Sequence, residues 1–479
     1  MDDAHDTYQS VFTSRYKSSA EMLRLFSNRN RTVIWRRLWF WLAKCQKNLG
    51  LNITDAQITE IESNISNIDW ESIERNENET RHDVMAHILA FKSTCPGAGG
   101  ILHQGATSAF VQDNTELILI RDALDIVIVK VATCVDRLAK FAEKWKNLPT
   151  LGRTHYQAAS LTTVGKRTCL WMQDLLFAVE RLHYERTSLK FRGIKGATGT
   201  CDSFLKLFDG NERKVRLLND QLTKLAGFQS SFSVTGQTYP RIEDAAVLNA
   251  LSILAASVYK ICMDIRMLQA FREIQEPFES TQVGSSAMPY KKNPIRCERC
   301  CGFARYLMNL APNALQTAAL QGFERTLDDS SNKRIVIPDA FMTADACLVT
   351  FQNIVEGLVV NERIITAHVN DELPFLCMEG ILMELVKCGK DRQEAHEKIR
   401  VLTQDASRAV LDGLDANVAE RMMEDEYFDC IKDKLGDLAS SAKFVGLSVS
   451  DTDRFLAIDV AHALQPFRGK LQGQSVLSV

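Results

Sequence analysis

The chain has 479 residues, 46% apolar and 24% charged, with 10 prolines and 24 glycines. These figures match an ordinary soluble globular protein and exclude a disordered, collagenous or low-complexity chain. Its 57 Lys and Arg against 60 Asp and Glu leave a net charge of -3, which excludes nucleic-acid binding through overall basicity and requires any anion site to be local.

At roughly 150 residues per domain, the length fits about three domains or one large helical body with appendages. The opening residues lack the apolar core of a secretory leader, and no run reaches 18 uninterrupted apolar residues. The most apolar early run, Trp35 to Ala43, is short and contains two arginines. The expectation is a cytoplasmic protein that does not span a membrane. Thirteen scattered cysteines read as reduced thiols used as small apolar fillers. Cys297 and Cys300 have C-x-x-C spacing, but no second half completes a metal site, so none is expected.

Pro96 through Gly105 is a glycine-rich break. Beyond it, three segments carry apolar residues spaced by threes and fours: Leu117 to Phe141, Val164 to Leu182, and Val247 to Leu268. Each predicts a long helix with one apolar stripe, and stripes of that length need partners running alongside in a bundle. Ile126 to Val129 is β-branched and suits a buried strand, but the flanking heptads favour helix. Pro277, Pro289 and Pro294 mark a loop, residues 338–365 read as helical, and Asn370 to Pro374 reads as another break. The fold class is therefore mostly all-α, in three regions: 1–110, 111–363 and 364–479.

The loop Gly284-Ser-Ser-Ala-Met-Pro-Tyr-Lys-Lys-Asn-Pro294 is the least generic stretch of the chain. It combines two hydroxyls, two lysines and an amide with backbone freedom, which suits a mobile binding lid. The run resembles the signature G-S-S-x-M-P-x-K-x-N-P of the fumarase/aspartase lyase superfamily, with every fixed position present. Gly105 to Asp113 and Gly152-Arg-Thr-His-Tyr-Gln-Ala158 resemble two further blocks of that superfamily, in the expected order. Ser14-Arg-Tyr16, Arg81-His-Asp83 and Glu324 to Arg334 look like its branch that acts on succinyl-amino purine nucleotides.

The resemblance implies an anti β-elimination that releases fumarate from small nucleotide substrates, with no cofactor or metal. It also implies a homotetramer built on the central helices, each active site drawing on three chains. The chemistry needs a base for a weakly acidic proton beside a carboxylate, donors for the dianion that develops, and an acid for the leaving nitrogen. Carried over by motif, Ser285 is the base and His155 the acid; the alternative that Ser285 only binds a carboxylate stays open. Imidazole suits proton donation near neutrality. A serine hydroxyl needs a field to stabilise its alkoxide, which Lys291 and the loop amides would supply on closure.

Arg15, Tyr16, Arg299, Arg325, Ser330 and Arg334 would contact the nucleotide and its phosphate, where the planar guanidinium fork fits oxyanions. Thr107, Ser108, Lys291 and Asn293 would hold the succinyl carboxylates and Gln237 would hydrogen-bond the substrate, while His82 would support the acid or the phosphate. Arg81, Asp83 and Thr154 complete the matched blocks. Two other readings are another fumarate-releasing lyase, such as argininosuccinate lyase or aspartase, and an inactive structural descendant of crystallin type. The arginines from 325 to 334 weigh against the first, and intact His155, Ser285 and Lys291 against the second.

Overall fold

The computed structural model describes residues 6–438 and 445–477; Met1 to His5, on which part of the N-terminal reading rests, lie outside them. The N-terminal third contains α1 (Ala20–Leu25), α2 (Asn28–Asn48), α3 (Asp55–Ser63), α4 (Trp70–Thr80) and α5 (Asp83–Thr94). The central part runs α6 (Ser108–Trp145), β1 (Pro149–Thr154), β2 (Gln157–Thr163), α7 (Val164–Ser188), α8 (Asp202–Leu207), α9 (Glu212–Leu225) and α10 (Ile242–Ala270). It continues through β3 (Ile274–Gln275), α11 (Ile295–Leu320), α12 (Asp328–Glu356) and β4 (Val359–Val360). The C-terminal part begins with α13 (Glu362–Leu376), α14 (Met378–Lys387), α15 (Arg392–Leu411) and α16 (Val418–Glu424).

The three heptad stripes become α6, α7 and α10, which pack with α11 and α12 into one bundle. Leu117, Leu124, Val131 and Leu138 of α6 are fully buried, as are Leu175 and Leu182 of α7 and Leu251 and Ile261 of α10. Each such side chain contributes about 1.5–3 kcal/mol on leaving water. Ile126 to Val129 is helical, because the stripe on either side buries only if α6 continues through it. At 38 residues, α6 is about 57 Å long. Helices α10 and α12 are long and apolar enough to cross a membrane by length and composition alone, but their stripes are buried within the bundle.

Several boundaries differ from the sequence expectation. The helix expected from the stripe Val247 to Leu268 spans Ile242–Ala270, and beyond it Ile274–Gln275 pairs antiparallel with Val359–Val360, so the helical stretch expected over 338–365 is interrupted by a strand. Pro338 lies inside α12 and Pro374 inside α13, so Asn370 to Pro374 is helix and not a break. An internal proline strips the carbonyl four residues earlier of its donor. Here those carbonyls belong to Arg334 and Asn370, both exposed, so solvent can take the donor's place.

One contiguous core runs from Phe12 through the bundle to Val369 and takes in Val460; a smaller core gathers Ile381, Leu385, Ile399, Met422 and Phe428. Ten of the 13 cysteines are buried, in keeping with their reading as apolar fillers.

Candidate active site

Nine of the expected residues meet at one cavity of about 770 Å³: Arg81, His82, Asp83, Thr107, Ser108, Gln237, Arg325, Ser330 and Arg334. They come from four separate stretches, brought together where α5, α6 and α12 begin. His82 is the N-cap of α5: its Nδ1 accepts from the Met85 amide at 3.3 Å. An accepting Nδ1 leaves Nε2 as the protonated nitrogen of a neutral ring, so Nε2 donates to Ser108 Oγ at 3.4 Å. His82 thus fixes the first hydroxyl of α6.

Thr107 caps α6, yet its Oγ1 is buried and makes no hydrogen bond, and the first turn of α6 carries no acidic residue. The free amides and partial positive charge of this helix end are therefore neutralised by no side chain of that turn, as suits a carboxylate.

Asp83 accepts from Gln112 Nε2 at 3.1 and 3.3 Å and pairs with Arg334. Burial pushes its carboxyl up, but the Arg334 hydrogen bond and charge outweigh this and leave it below the usual range. Gln112 falls within the matched block Gly105 to Asp113 but was given no role there, although it lies four residues after Ser108 and so on the same face of α6. Arg325 Nη1 donates to Gln237 Oε1 at 2.8 Å, and Gln237 Nε2 donates to Ala197 O at 3.1 Å. Arg325 Nε is buried without a partner.

Beneath the cavity, Arg241 ties α6 to α12: it donates to Asp113 at 3.0 Å and to Asp329 at 2.8 Å. Asp113 also faces Lys333 at 3.7 Å. Burial alone would raise the Asp113 carboxyl, but Arg241, Lys333 and Arg192 hold it at about 2. This buried network sets the relative positions of Ser108 and Ser330; Arg241 did not stand out in the sequence, and Asp113, though it ends the matched block from Gly105, was given no role, because a lone charge on a helix reads as solvated.

The other eight expected residues stand outside this cavity. Arg15, Tyr16 and Arg299 line a second one. Thr154 ends β1, and His155 occupies the two-residue turn between β1 and β2 with Tyr156. Both turn residues have positive φ, 53° for His155 and 61° for Tyr156, as a tight hairpin turn matching the strand twist demands. No hairpin signal was legible at these positions, because asparagine and glycine are the usual residues here. Close to this turn the hairpin is anchored where Arg153 reaches Glu273 at 3.0 Å, a carboxylate that His368 also meets at 3.0 Å.

Ser285, Lys291 and Asn293 sit on the exposed 284–294 loop. Its ends are pinned where Asn293 Nδ2 donates to Gly284 O at 2.7 Å; a Cβ on Gly284 would fall 2.1 Å from Lys291 O, so only glycine fits. Ser285 Oγ accepts from the Met288 amide at 3.1 Å. Hydrogen bonding of that kind favours a negatively charged oxygen.

A cavity of this polarity at a helix end, with a hydroxyl loop and an imidazole held apart on protruding elements, fits the lyases, whose family matches residues 1–308. The fold agrees: the crystal structure of a 3-carboxy-cis,cis-muconate lactonizing enzyme from Pseudomonas putida superposes with a TM-score of 0.82 at 21% identity, covering 95% of this chain and 100% of the other. Fumarate lyase from Mesorhizobium sp. BNC1 gives 0.80 at 21% identity, over 94% and 100%. Over its full length, the chain is 45% identical to adenylosuccinate lyase of Schistosoma mansoni, covering 100% of both, and 47% identical to that of Saccharomyces cerevisiae, covering 98% of both. The chain belongs to the adenylosuccinate lyase family.

Proposed function

We propose that this chain eliminates fumarate from adenylosuccinate, leaving AMP, and from succinyl-aminoimidazole-carboxamide ribotide, leaving AICAR, as a step of purine nucleotide synthesis in the cytoplasm. The observation that carries the reading is the gathering of hydroxyl, amide and guanidinium groups at the uncompensated end of α6, which suits a ligand bearing carboxylates and a phosphate.

In the proposed reaction Ser285 takes the proton from the carbon beside a carboxylate. That C–H pair becomes the new C=C bond, the C–N bond breaks, and His155 returns a proton to the departing nitrogen. The Met288 amide and Lys291 stabilise the serine alkoxide, and Thr107, Ser108, Lys291 and Asn293 hold the carboxylate on which charge develops. Arg81 and Thr154 flank these groups, and His82 orients Ser108.

His155 and Ser285 are not among the residues lining the cavity of His82 and Ser108 within this chain. The reading is therefore a homotetramer in which the bundles associate and each site takes blocks from three chains, the chain dividing into 1–110, 111–363 and 364–479. The test is fumarate release by the purified protein. Turnover of adenylosuccinate is expected; turnover of argininosuccinate alone would select a different lyase, and none at all a structural descendant.

A further inference from the structure

Arg15, Tyr16 and Arg299 line a cavity of about 580 Å³ whose other wall is the chain's own end, Gln472–Leu477. Arg15, Lys17, Lys130 and Arg299 face it, and no Asp or Glu lines it among the described residues. Lys130 is paired with Asp345 behind the wall, and Arg15, Lys17 and Arg299 are the other basic groups at the cavity. The Tyr16 ring lies 4.5 Å from the Arg299 guanidinium and 5.6 Å from that of Arg15. This is an anion pocket with a polar chain end as one side.

The end is held by a specific clasp. Arg137 Nη2 donates to Gln472 O at 2.7 Å, Gln352 Nε2 to Gly473 O at 2.7 Å, and Asn353 Nδ2 to Ser475 O at 3.0 Å. Ser475 N donates to Glu356 at 2.9 Å, and its hydroxyl to Val349 O at 2.7 Å. Gln472 accounts for two more bonds: its amide donates to Thr133 Oγ1 and its side chain to Glu21 of α1, each at 3.1 Å. Ser19, the N-cap of α1, is fixed in turn by Asp345. A Gln-Gly-Gln-Ser segment has little apolar surface to bury, so these bonds, and not packing, hold it against α6 and α12. Through Glu21 they also reach the α1 segment that follows Arg15 and Tyr16.

We propose that the tail Gln472–Leu477 is a positioning element of the nucleotide's anion subsite, closing its wall and fixing Arg15 and Tyr16 so that the three basic groups converge. The inference rests on the reading that these residues meet the nucleotide. A chain ending at Leu471 is expected to raise KM for adenylosuccinate about 5- to 20-fold, and Ki for AMP by the same factor, with kcat within twofold of the full chain. Gln352→Leu, which removes one clasp bond in an otherwise complete chain, should shift the same two constants in the same direction by a smaller factor.

An unchanged KM in the shortened enzyme, or a joint fall of kcat and melting temperature with KM unmoved, overturns the proposal. If the shortened chain does not fold, the same split in Gln352→Leu decides. Arg15→Ala run alongside separates the two claims. A raised KM there with a normal KM in the tail variants sinks only the tail's role, while a normal KM in Arg15→Ala sinks the nucleotide reading of the pocket.

Discussion

Replacing Arg334 with leucine separates binding from folding, because the structure gives the residue little to do for stability. Its side chain is 55% exposed and its partner Asp83 21% exposed, so their ion pair is worth at most about 1 kcal/mol in the free enzyme. A charge-assisted bond from the same guanidinium to a phosphate is worth about 1.5–3 kcal/mol, which is roughly 10- to 150-fold in KM. Arg334→Leu is therefore expected to raise KM for adenylosuccinate by that factor while the melting temperature moves little. Arg334→Lys, which keeps the charge without the fork, should fall between. The assay is initial fumarate release over a range of substrate, paired with a thermal melt. The pH dependence adds a check. In the folded enzyme Asp83 titrates below its ordinary 3.8, so its stabilisation is present above that value and lost as pH falls through the folded one. In the leucine variant this acid-linked loss should shrink, because the Arg334 hydrogen bond and charge are the main influences that hold the folded carboxyl below 3.8. An unchanged KM, or a loss of stability as large as the loss of binding, would refute the reasoning.

Mixed tetramers of His155→Ala and Ser285→Ala subunits should recover part of the activity that each variant lacks alone; inactivity in tetramers verified as mixed counts against sites shared between chains. Asp113→Asn removes the carboxylate that faces Lys333 and one of the two that Arg241 meets, and should cost about 3–5 kcal/mol in urea unfolding, whereas a loss below about 1 kcal/mol would mean the network is replaceable. Burial and then Arg36 hold His87 at about 4, and burial and then His82 hold His103 there too, against 6.5 when unfolded. The unfolded chain takes up these protons first, so stability should be full above pH 6.5 and decline toward pH 4, and imidazole NMR should show both rings neutral at pH 6. Tyr156→Gly relieves one positive φ and should stabilise the hairpin by about 1 kcal/mol. Activity that survives this change undiminished would show that the tip needs no tyrosine.

What the sequence disclosed divides along physical lines. Apolar stripes at helical spacing revealed α6, α7 and α10 because burial is periodic and burial dominates folding. The matched blocks contain three of the four segments that meet at the cavity, and Gln237 was named outside them. Arg241 stayed hidden, and Asp113 and Gln112 lay in a matched block without a role, because a polar residue on a helix shows its partner only once the helices are packed. Pro338 and Pro374 misled because a proline breaks a helix only where the carbonyl it orphans has no other donor.

The hairpin is the place where local rules and the observed structure conflict most directly. A chain that needed only to turn between β1 and β2 would place asparagine and glycine at the two left-handed positions, avoiding a strain of about 1–2 kcal/mol per residue. It places His155 and Tyr156 there instead, both exposed in the chain. Strain of this kind persists where the surroundings impose it and where the side chains are needed at that spot. Arg153, two residues before His155, is fixed by Glu273, but no polar contact from this chain holds the His155 ring among the described residues. An imidazole held at a strained, exposed turn with no polar partner in its own chain accords with the proposed reading in which its counterpart comes from another subunit.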